Sequence, residues 1–174
     1  ILMRLSVFHG GFTREAAEQV TGATLPVLSS LVDKALLHRT NLGRYELHEL
    51  IRQFAGMQLR TDPQAAEQAQ QRHQEYFITF LETRTAGVKG HKQKETLVEI
   101  KADMDNVRLA WQWAVANRDA QAIERSAECL FVFYTYSSRH YEGQTAFQQA
   151  AAAFIAGSGS PVDDGSPDEL VIMD

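Results

Sequence analysis

The chain has 174 residues, room for one ordinary domain or two small ones. It is 44% hydrophobic and 22% charged, close to globular averages, which argues against general disorder. Its single cysteine, Cys129, excludes a disulfide framework and any cysteine-built zinc site, and suits a reducing cytoplasm. No apolar run approaches the roughly 18 residues a membrane span needs, and Ile1-Leu2-Met3-Arg4-Leu5 has no signal-peptide pattern. The expected location is therefore the cytoplasm, away from any membrane. Opening on Ile1 in the middle of a pattern, the chain reads as a piece of a longer protein.

The net charge of −5 is unevenly spread. Residues 1–60 carry +2, residues 61–118 carry 0, residues 119–156 carry −2, and the tail from Gly157 carries −5. The body is thus nearly neutral and has no strong pull on nucleic acid or anionic lipid. The tail (157–174), rich in Gly, Ser, Pro and Asp, has the composition of a flexible acidic linker.

Chain order divides the body into three parts, and the class they imply is all-α with a small β-hairpin. In the first (1–61), Thr13 precedes Arg14-Glu15-Ala16-Ala17, a helix N-cap with an acid in the first turn, and Gly22 ends that helix. Thr24 and Pro26 open another helix, in which Leu28, Leu31, Val32 and Ala35 are expected to face a core. Leu37-His38-Arg39 and Arg44-Tyr45-Glu46-Leu47 flank Thr40-Asn41-Leu42-Gly43, a hairpin with Gly at its turn. From Glu49 to Leu59 helical spacing resumes through Leu50, Phe54 and Met57. This order is that of a winged helix-turn-helix.

The second part (62–118) predicts two longer linker helices. Ala66, Ala69, His73, Phe77 and Phe80 form the inner stripe of one, which Gly87 and Gly90 break. Leu97, Ile100, Met104, Val107, Trp111 and Ala114 form one sustained stripe on the next. The third part (119–156) is a helix pair. Leu130, Tyr134, Gly143, Phe147 and Ala150 fit a tetratricopeptide repeat, whereas Ala127, Phe131 and Ile155 depart from it, so a plain helical hairpin stands as the alternative.

His48-Glu49-Leu50-Ile51-Arg52 has the start of a zinc-protease helix, but Arg52 stands where the second His ligand belongs, and no metal site is expected. His9, His38, His73, His91 and His140 show no ligand spacing and read as surface or packed residues. The chain has no Walker-type phosphate loop and no nucleophile elbow. Cys129 sits on an apolar helix face, the setting of an inert thiol. No nucleophile–base pair is readable, so the chain is not expected to be an enzyme and no cofactor is expected within it.

A winged helix raises the question of DNA. Between Leu25 and Leu36 the polar positions are Ser29, Ser30, Asp33 and Lys34, a poor set for reading base edges. Lys34, Arg39 and Arg44 are the candidates for nucleic-acid backbone contacts, and DNA binding is the alternative reading rather than the leading one. His48 stands where the hairpin ends and the last helix begins, and a helix N-terminus attracts anions such as phosphate. The plain reading of the same residue, which spacing alone favours, is an N-cap-like His bonding a neighbouring backbone group.

Three segments carry a family resemblance: Leu5 to Thr13 with Glu15-Ala16-Ala17, Leu31 to Leu37, and Arg44 to Ala55. Together they resemble the winged-helix region of bacterial NB-ARC-type (STAND) signal-transduction ATPases, many of them transcriptional regulators of the LuxR or antibiotic-regulatory kind. Glu99 with Asp103 to Trp111 resembles the helix leading into the tetratricopeptide array of those proteins. The resemblance spans about residues 2–156. It implies a preceding ATPase core that holds ADP or ATP with Mg, and a helical array that senses a ligand or protein. Leu47-His48-Glu49 matches the family's Met-His-Asp motif, with Leu for Met and Glu for Asp. That match implies that His48 senses ADP phosphate, acting only with the core that this chain lacks. A free-standing protein-binding helical module is the third reading.

Overall fold

The computed structural model describes residues 1–157. The acidic segment 158–174 lies outside the described residues. The rest is all-α with one small hairpin: α1 (Leu2–Leu5), α2 (Arg14–Thr21), α3 (Leu25–Asp33), β1 (Leu37–Arg39), β2 (Tyr45–Leu47), α4 (Glu49–Leu59), α5 (Pro63–Lys89), α6 (Gln93–Ala102), α7 (Met104–Ala116), α8 (Ala120–Tyr136) and α9 (His140–Gly157).

Local chemistry sets most boundaries. The Thr13 side chain accepts from the Ala16 N–H at 3.1 Å, and Gly22 closes α2 with φ +75°, a left-handed position that costs glycine little. Asp62 and Asp119 cap α5 and α8 in the same way, each accepting at 3.0 Å. The hairpin is antiparallel, pairing Leu37 with Leu47 and Arg39 with Tyr45. Phe12 adds an isolated bridge to its free edge: the Phe12 N–H donates to Tyr45 O at 2.9 Å and the Tyr45 N–H to Phe12 O at 2.8 Å.

One continuous core runs from Leu5 to Ala150. The 27-residue α5 is its spine. Phe8 stacks on Phe12 at 4.5 Å between ring centroids and meets His73 of α5 at 5.4 Å. Near the other end, Gly143 of α9 lies so close to α8 that a Cβ there would stand 2.9 Å from the Tyr134 Cβ. Trp111 of α7 meets Phe147 of α9 at 5.2 Å and donates its indole N–H to Ala146 O at 3.3 Å.

Several expectations change. The single stripe from Leu97 to Ala114 is divided between two helices, because the chain turns at buried Asp103, which ends α6 and opens α7. Gly87 does not break α5. It lies inside the helix, where a Cβ would meet Thr96 Oγ1 at 2.6 Å, so its smallness brings α5 and α6 together. Gly90 does end α5. Ala35 lies beyond the end of α3 at φ +56° and is exposed rather than facing the core. Among the described residues, no helix is long and apolar enough to cross a membrane.

Candidate functional site

His48 joins the hairpin to α4. It directly follows β2, and its φ −59° and ψ 137° make it the N-cap of the helix. Its Nδ1 accepts from the Leu50 N–H at 3.3 Å, and its carbonyl accepts from the Arg52 N–H at 2.9 Å. An Nδ1 that accepts carries no proton, so in the neutral ring the proton lies on Nε2. The side chain is exposed, so the Nε2–H is available as a donor at a helix N-terminus.

Glu49 does not share that role. Its carboxylate folds along α4, accepting from Arg52 Nε at 2.8 Å, Arg52 Nη2 at 2.7 Å and Gln53 Nε2 at 2.8 Å. These donors, Arg52 first, hold its pKa down at about 2.

Beside His48 lies an apolar stripe that faces outward. Leu50 is 68% exposed, Phe54 55% and Met57 53%. The buried face of α4 consists instead of Ala55 and Leu59. The helix therefore carries two apolar stripes, and the larger side chains belong to the uncovered one.

Inward from Glu49 runs a polar chain that sequence reasoning missed. Arg52 Nη1 donates to His9 Nε2 at 2.9 Å, and the His9 backbone N–H donates to Asn106 Oδ1 at 2.9 Å. Asn106, fully buried on α7, also accepts from His73 Nε2–H at 3.3 Å and donates through Nδ2 to Gly11 O at 3.1 Å. Burial lowers both imidazoles, His73 to about 4, and Arg52 adds to the lowering of His9. No local motif signals this chain, because His9 and Asn106 are 97 positions apart.

The three candidate backbone-binding cations do not form a set. Lys34 is exposed at the end of α3, and Arg39 is exposed on β1. Arg44 faces inward: its guanidinium binds both carboxylate oxygens of Asp103, and its Nη2 also donates to Gly11 O at 2.6 Å and Ala102 O at 3.2 Å. The hairpin surface where a phosphate would meet it is left without that charge. The Cys129 thiol is buried, which pushes its pKa up to about 11 and keeps it unreactive.

No protein-family model, curated protein or solved structure matches this chain. Among the described residues, no group of three or more His, Cys, Asp or Glu side chains converges to hold a metal ion. What the residues offer is a donor for an anion at His48 and an adjoining apolar surface.

Proposed function

We propose that this chain is the regulatory segment of a nucleotide-switched signalling ATPase. Residues 1–61 act as its winged helix, and α5 to α9 form the arm through which a ligand or protein is sensed. In this reading His48 reports the nucleotide state of an ATPase core supplied by another part of the protein. The observation that carries it is the exposed His48 imidazole, with Nδ1 spent on its own helix and the donor nitrogen free, beside the uncovered Leu50–Phe54–Met57 stripe.

The residues fit one face of such a site. The Nε2–H of His48 suits a phosphate oxygen, and the positive end of the α4 dipole favours the same charge. The stripe suits a protein surface that closes over it. The core would supply the rest of the nucleotide pocket and the Mg2+, since among the described residues none are grouped to hold a metal ion. ADP held between core and His48 favours the closed arrangement only if it binds that arrangement more tightly than the open one. Exchange for ATP, or a ligand on the arm, would release the segment to rotate as a rigid body.

The test is His48→Ala in the protein with its core. The cap bond is exposed and 3.3 Å long, so the fold should lose no more than about 1 kcal/mol. Loss of the phosphate contact should weaken the closed state by roughly 1–3 kcal/mol, seen as faster ADP release and raised basal output. Phe54→Ser should likewise leave the melting temperature of the 174-residue chain nearly unchanged but loosen the closed state. Unaltered ADP retention and basal output in both variants would refute the reading. DNA binding draws less support, because Arg44 is withdrawn from the surface and Asp33 stands beside Lys34. A shallow salt dependence of any DNA affinity would agree with that ordering.

A further inference from the structure

A cleft of about 500 Å3 opens between the α1–α2 loop, α4, α5 and α7, within the size range of small-molecule sites. Its polar lining is Ser6, His9, Arg52, Gln53, Arg60 and Gln70, and among the described residues no carboxylate lines it. Val7, Met57 and Leu109 supply apolar wall. His48 is not part of it, although Met57, at the end of the exposed α4 stripe, lines it.

The two arginines are placed by α4. Arg52 uses Nε and Nη2 for Glu49, on the solvent side, and aims Nη1 at His9. Arg60, the C-cap, turns its guanidinium back along the helix. Its Nη1 lies 3.7 Å from where a Cβ on Gly56 would stand, and Gly56 is one turn beyond Arg52. The Ser6 side chain, its Oγ 3.6 Å from the same point, shares the space above the bare backbone of Gly56 with Arg60. Among the described residues, no carboxylate lies within ion-pair distance of Arg60. Arg52 is already neutralised by Glu49 but Arg60 is not, and a lining that among the described residues holds cationic and amide donors without an acid suits an anion.

We propose that this cleft binds a small phosphorylated metabolite, its phosphate between Arg52 and Arg60 and its body against Val7, Met57 and Leu109. Geometry favours phosphate over carboxylate. The guanidinium fork of Arg60 fills both oxygens of a planar carboxylate, whereas a tetrahedral phosphate on that fork has oxygens left for the N–H groups of Arg52 that Glu49 and His9 do not use. His9, faced by Arg52, Glu49 and Asp105, is held below its ordinary pKa by burial and by Arg52. A phosphate arriving beside it adds negative charge and should raise that pKa. Because the cleft joins the α1–α2 loop and α4 to α5 and α7, its occupant should also brace these elements against one another.

The test is NMR titration of the 174-residue chain with glycerol 3-phosphate, following arginine Nε–H and histidine ring signals. Saturable shifts at Arg52, Arg60 and His9 are expected, with little response to succinate. Arg60→Gln should weaken binding about tenfold with an unchanged melting temperature, Arg60→Lys should fall between, and exposed Lys94→Gln should bind normally. Equal shifts from succinate, equal movement at Arg39, or no saturation by about 20 mM probe would overturn the proposal.

Discussion

Arg44, where the hairpin turn enters β2, closes on the carboxylate of Asp103, which separates α6 from α7. The Asp103 side chain is 7% exposed and that of Arg44 16%. The hairpin is thereby fastened to the helical arm by a charge pair largely removed from water. A buried charge is tolerable only while its partner stays. Arg44 also satisfies the carbonyls of Gly11 and Ala102, so a single side chain joins three segments.

Arg44→Ala should therefore cost about 3–5 kcal/mol, because it strands the Asp103 carboxylate. The double variant Arg44→Met, Asp103→Leu should recover much of that loss, since no charge is then left buried. Urea denaturation of the single and double variants checks both statements. A double variant no more stable than Arg44→Ala would show that the pair is not the source of the cost.

His73 makes stability depend on pH. Its pKa is lowered from 6.5 to about 4 by burial, so below pH 6.5 the unfolded chain binds a proton that the folded chain refuses. Stability is then full above pH 6.5 and falls progressively toward pH 4, by roughly 3 kcal/mol from this residue. The lowered His9 contributes in the same direction. Melting temperatures between pH 7 and pH 4 should show the slope, and His73→Leu should flatten it while lowering stability at pH 7 through the loss of the Asn106 bond.

Glycine in a helix ordinarily costs about 1 kcal/mol relative to alanine. At two positions here the replacement should nevertheless be harmful. A Cβ at Gly143 would lie 2.9 Å from the Tyr134 Cβ and 3.0 Å from its Cγ, and one at Gly87 would lie 2.6 Å from Thr96 Oγ1. These neighbours are stems of buried side chains, so the helices must part. Gly143→Ala and Gly87→Ala should each destabilise by about 1–3 kcal/mol in thermal unfolding, against the propensity gain.

The Thr13 N-cap, the turn at Gly43 and the inner stripe of α5 were legible because each depends on neighbours a few residues away. Asp103 was not, because an unbroken three-and-four spacing continues across it. The bend depends on an arginine 59 positions earlier. The apolar spacing of Leu50, Phe54 and Met57 is helical in both sequence and structure, but periodicity does not say which of two apolar stripes finds a partner.

By its own residues the chain specifies an all-α body, a two-stranded hairpin and the capped helix that His48 opens, since propensity, capping and period act locally. Only tertiary packing decided that Arg44 faces inward, that the large stripe of α4 stays uncovered, and that His9, Asn106 and His73 form one network. Those outcomes depend on contacts between distant segments, where burial and charge pairing are settled only once the whole core has closed.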